Sequence, residues 1–162
     1  MDPLITEAVA LWRRGRHPEA ERICSAILDA DSARMDARGL LAEVYSSNGR
    51  FAEAATQLRL VAEGQPADAA TQRRLGDALF AAKDFTGAAA SFGRAIAIDP
   101  RNARGYNNLG RARAELSEHE TAIECYRKAL ALDPKYAIAH SNLGVSLVAV
   151  DELQEALICY ER

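Results

Sequence analysis

Five times along the chain a small residue returns at an interval of 34 positions: Ala8, Ala42, Gly76, Gly110 and Gly144. A second small set, Ala20, Ala54, Ala88, Ala122 and Ala156, keeps the same interval. A fixed period of this length means that each copy is a supersecondary unit too small to bury its own apolar face, so neighbours must stack. The 162 residues divide into units 1–34, 35–68, 69–102 and 103–136 with a partial unit 137–162, read together as a single repeat domain.

The clearest copy runs from Ala103 to Tyr136. Within it Tyr106, Leu109 and Gly110 stand in the spacing aromatic-x2-Leu-Gly, followed by Ala122, then Tyr126 four residues later, then Pro134. That order resembles the tetratricopeptide repeat, a helix-turn-helix unit of 34 residues. The resemblance covers the whole chain and implies an all-α fold, a right-handed alpha-alpha superhelix of antiparallel helix pairs. It also implies that unit positions 8 and 20 lie where the two helices of a unit cross, since only small side chains let the axes approach to about 8 Å. Larger groups then fill the crossing: Leu41, Leu75, Leu109 and Leu143 at position 7, and Leu58, Phe92, Tyr126 and Tyr160 at position 24. Unit one, with Glu7 and Cys24 there, is the weakest copy. Replacing Gly110 by Leu is expected to cost more than about 2 kcal/mol through overpacking.

Helix boundaries follow from local signals and give ten helices of about 10 to 14 residues. Asp2, Asp68 and Asn102 are placed as N-caps. Asp99-Pro100 and Asp133-Pro134 stop helices, because proline disfavours helical geometry in the residue before it. Gly15-Arg16-His17 and Asn48-Gly49-Arg50 read as turns within units.

Composition narrows the partner class. Lys and Arg number 20 against 23 Asp and Glu, a net charge of -3, which argues against nucleic acid as a partner. No run approaches the length of a membrane span and the first residues lack a secretory pattern, so no membrane association and a cytoplasmic location are expected. Cys24, Cys125 and Cys159 are widely spaced with no C-x2-C pair, which argues against a disulfide framework or zinc site, and no metal or cofactor is expected. His17, His119 and His140 are dispersed, with no H-E-x-x-H and no P-loop, so no catalytic residue is assigned. His17 and His119 read as packing residues.

At about 100° per residue, positions 4, 7, 8 and 11 of each first helix share the core arc. The opposite arc carries positions 2, 5, 6, 9, 12 and 13, and the resemblance implies that it lines a concave ligand groove. That arc supplies Ile5, Val9 and Trp12 early in the chain and Leu40 and Glu43 next. The candidate peptide-binding groove is Arg73, Arg74, Asp77, Arg104, Asn107, Asn108, Arg111 and Asn142. The arginines suit carboxylates or phosphates as bidentate forks, or pair along their own helices, Arg73 with Asp77 and Arg111 with Glu115. Asn108 and Asn142 stand one unit apart within NNLG and SNLG, which resembles the asparagine ladder of the repeat arm of O-linked N-acetylglucosamine transferase. An amide both donates and accepts, so such a ladder reads a peptide backbone of any sequence.

The resulting expectation is a non-catalytic protein-protein interaction module that binds a peptide segment of a partner in its groove. The alternative is the substrate-recognition arm of a larger enzyme, such as a glycosyltransferase. The last unit stops at Arg162 without a capping helix and reads as part of a longer polypeptide. Its exposed face, including Tyr160, is expected to lack a partner within the chain and to associate with another copy.

Overall fold

The computed structural model describes residues 2–161. Among them are ten helices: α1 (Pro3–Arg13), α2 (His17–Ala30), α3 (Met35–Ser47), α4 (Phe51–Gly64), α5 (Ala69–Ala81), α6 (Phe85–Ile98), α7 (Ala103–Glu115), α8 (His119–Leu132), α9 (Ala137–Ala149) and α10 (Leu153–Tyr160). Arg162, on which the uncapped-end expectation rested, lies outside the described residues.

The expected caps are in place. Leu4 N-H donates to Asp2 Oδ1 at 2.9 Å, Ala70 and Thr71 N-H donate to the Asp68 carboxylate at 3.1 Å, and Gly105 N-H donates to Asn102 Oδ1 at 2.9 Å. Each satisfies a donor that the first turn leaves unpaired. Asp84 does the same for Gly87 N-H at 2.9 Å, a cap the sequence reading omitted. The turn inside every unit bends at one place, position 15, through a residue with positive φ: Gly15 and Gly49 at 74°, Lys83 at 64°, Ser117 at 61° and Asp151 at 65°. Glycine adopts this geometry without a Cβ penalty; the last three pay it.

Contacts group the chain into two compact units, Met1–Ala82 and Lys83–Arg162. In the first, α1 to α5 pack in chain order. Ala8, Cys24, Leu40 and Leu41 form one buried cluster, and Ile5, Ile27 and Ala37 another. Burial pushes the Cys24 thiol up to about 11. The Arg50 guanidinium reaches from the start of α4 to both Glu21 oxygens on α2 at 2.8 and 2.9 Å, pairs with Glu53, and lies 4.2 Å over the Tyr45 ring.

In the second unit α6 to α10 pack in the same serial order. Ala122, Ile123, Tyr126, Leu143, Leu147, Ala156 and Cys159 make its main cluster. The glycines stand where the crossing argument puts them. A Cβ on Gly110 would lie 2.6 Å from Tyr126 Cε1, and one on Gly144 would lie 2.7 Å from Tyr160 Cε1. Tyr160, expected without a partner, therefore covers Gly144 while staying half exposed.

The buried arc of the first helices is wider than expected. Position 3 (Ala37, Thr71, Gly105, Ala139) and position 10 (Val44, Ala78, Ala112, Ser146) are buried as well. These small residues face the second helix of the preceding unit: a Cβ on Gly105 in α7 would meet Ile96 Cγ2 of α6 at 2.8 Å. The expected crossing lies inside a unit; this second crossing, between units, is an addition to it.

Candidate functional site

Each compact unit holds a cleft between successive first helices, built from equivalent repeat positions. In the first unit a cleft of about 630 Å³ lies between α3 and α5, lined among others by Asp36, Gly39, Glu43, Asp68 and Arg74. In the second a cleft of about 600 Å³ is lined by Ala103, Arg104, Asn107, Asn108, Arg111, Asp133, Tyr136 and Ile138, from α7, the α8-α9 loop and the start of α9.

The charged groups of the first cleft are engaged with partners from the chain itself. Arg74 on α5 donates to the Gly39 carbonyl on α3 at 2.9 Å and pairs with Glu43 at 2.7 Å. Asp36 is paired with Arg34 at 2.8 Å, and that guanidinium holds its carboxyl below the usual carboxylate range. Asp68 is occupied capping α5, and hydrogen bonds from Thr71 and Ala70 hold its carboxyl low too. Arg73 pairs along its own helix with Asp77 at 2.9 Å. Of the expected groove residues in this unit, Arg73, Arg74 and Asp77 are thus engaged in structural pairs.

The second cleft has a polar floor. Asn142 Nδ2 on α9 donates to Asn107 Oδ1 on α7 at 2.9 Å, and Asn107 Nδ2 reaches Asn108 Oδ1 at 3.5 Å. Asn107 is 1% exposed and Asn108 5%. Both were expected on the open arc; they are covered because neighbouring first helices touch, α7 against α9, and close over positions 5 and 6. Ile5 and Leu40, expected on the same open arc, are likewise buried at those positions in the first unit. A buried amide needs partners, and this chain of amides supplies them. Above the floor, Arg104 and Arg111 stand exposed on one wall, and Arg104 has no carboxylate partner among the described residues. The facing wall is Tyr136, half-buried, and Ile138, 58% exposed. Asp133, on the rim, accepts from Lys135 N-H at 3.1 Å. Tyr136 and Ile138 were not assigned to the groove from the sequence. Tyr136 precedes α9 and so falls outside any helix arc, whereas Ile138 stands at position 2 of the open arc, where the candidate groove took only charged and amide side chains.

Cys24, Cys125 and Cys159 form no disulfide among the described residues. Among the described residues no group of three His, Cys, Asp or Glu is placed to hold a metal ion, and no helix is long and apolar enough to cross a membrane.

Helix hairpins of fixed period that stack through small residues define a helical-repeat protein. The chain belongs to the tetratricopeptide repeat family: a family profile described as TPR repeat matches residues 76–117 and 110–151, and one described as tetratricopeptide repeat matches residues 11–75. No curated protein matches. Among solved structures, MamA from Desulfovibrio magneticus RS-1 is similar over 99% of this chain and 93% of its own, at 24% identity and a TM-score of 0.90. YrrB, described as a TPR protein with an unusual peptide-binding site, is similar over 97% of this chain and 81% of its own, at 20% identity and a TM-score of 0.85. Pseudomonas aeruginosa pilF is similar over 98% of this chain and 72% of its own, at 21% identity and a TM-score of 0.76. At these identities the likeness is one of fold.

Proposed function

We propose that the protein is a non-catalytic interaction module that holds a peptide segment of a protein partner in the cleft between α7 and α9. The observation that carries this reading is the contrast between the two equivalent clefts. One has its cation paired with its own Glu43, whereas the other leaves Arg104 exposed above a fixed floor of amides. A fixed floor lowers the ordering cost of binding. The peptide-binding site described for YrrB fits the same reading. Three cysteines outside any disulfide fit a cytoplasmic setting.

The test is selection from a random 16-residue peptide library, followed by NMR mapping of the enriched peptides on the isotope-labelled protein. Enriched peptides should shift amides of α7 and α9 and bind more weakly as salt screens the exposed charge. Failure to enrich any peptide, or shifts confined to other helices, would refute the proposal.

A further inference from the structure

The two clefts are built at the same repeat positions but carry opposite charge. Position 2 is Asp36 in the first and Arg104 in the second; position 9 is Glu43 in the first and Arg111 in the second. Where the first receives Arg74 from the next first helix, the second receives Asn142, a neutral amide. Three carboxylates and one guanidinium line the first, one carboxylate and two guanidinia the second. In the first cleft an arginine from the chain itself answers the acidic wall. In the second the residue at the equivalent place, Asn142, is neutral and donates to Asn107, and Arg104 has no carboxylate partner among the described residues.

We infer that the segment held in the α7-α9 cleft carries an internal acidic side chain seated at Arg104, and beside it a large apolar side chain against Tyr136 and Ile138. This rests on the peptide-binding reading and names the chemistry of its ligand. Arginine forks match a carboxylate in geometry as well as charge. With Asp133 on the rim, the lining side chains carry one net positive charge, which matches a monoanionic carboxylate better than a phosphate dianion. The apolar half follows from Ile138, a β-branched side chain left wet beside a tyrosine in a cleft whose volume is that of an ordinary binding site.

The experiment uses the library-selected peptides, synthesised with acetylated and amidated ends so that no terminal carboxylate is present. Their sequences should share an acidic residue next to Leu, Ile or Phe. Changing the acid to its amide should weaken binding at least about 10-fold, the usual scale for a charged hydrogen-bonded pair. In the Arg104→Gln protein the same peptide change should matter less than about 3-fold, because the guanidinium that seats the acid is gone. Arg104 is exposed, so a thermal melt matching the parent verifies that this variant is folded. Peptides that map to the cleft but are neutral or basic, that lose nothing on amidation, or that bind only with a free C-terminal carboxylate overturn the inference and leave the peptide-binding reading standing. A phosphoserine in place of the acid that binds tenfold tighter overturns the carboxylate assignment. Absence of any selected peptide removes both.

Discussion

Replacing Gly110 with alanine sets two effects of known sign against each other. Alanine is the better helix former by about 1 kcal/mol, so in an open helix the change stabilises. At Gly110 the new methyl would lie 2.6, 2.9 and 3.0 Å from Tyr126 Cε1, Cδ1 and Cζ. A ring that is 2% exposed has no room to step aside, so α7 and α8 must separate or the ring must leave its rotamer. Overpacking of this kind costs about 1 to 3 kcal/mol, and three short contacts to one rigid ring put it in the upper half of that range. Net of propensity, Gly110→Ala should destabilise by about 1 to 2 kcal/mol. Gly93, inside α6, supplies the control, because a Cβ there meets nothing within 4 Å. Gly93→Ala should therefore stabilise by about 0.5 to 1 kcal/mol. Urea titrations followed by helix circular dichroism give both values from the shift in midpoint. If the two variants move in the same direction, the argument that tyrosine seats on glycine at the crossing is wrong.

Ser117→Gly should raise stability by about 0.5 kcal/mol, since a φ of 61° strains any residue with a Cβ; an unchanged or lower urea midpoint would contradict the strain. Asn142→Ala should cost about 1 to 3 kcal/mol by removing the donor to buried Asn107 Oδ1, so a melt must accompany any binding assay on it; an unchanged melt would mean that the amide chain is not structural. Asp68→Asn should flatten part of the acid loss of stability. The Asp68 carboxyl is held low in the fold, by the Thr71 side chain first, against about 3.9 unfolded. Its contribution is therefore present above pH ~4 and lost as pH falls through the folded value. Melting temperatures between pH 5 and pH 2 that fall equally steeply in variant and parent would refute this.

The 34-residue recurrence of small residues and the capping and proline signals were enough to read ten helices and their order from the chain. Backbone sterics and helix termini act over a few residues, so Asp2, Asp68 and Asn102 announce their roles locally. The pairing of Gly110 with Tyr126 was legible because the period repeats it. Which first-helix residues face a ligand was not. Asn107 and Asn108 lie on the arc that an isolated helix would leave open, yet the approach of α9 buries them and spends Asn142 on holding them. Arg74 likewise reads as a free cation until α3 brings Gly39 and Glu43 to it, whereas Arg104 stays exposed with no carboxylate partner among the described residues. The helices and their crossings belong to the one-dimensional pattern. The open cleft, with Tyr136 and Ile138 on its far wall, depends on contacts between residues of successive units, and only packing brings those side chains together.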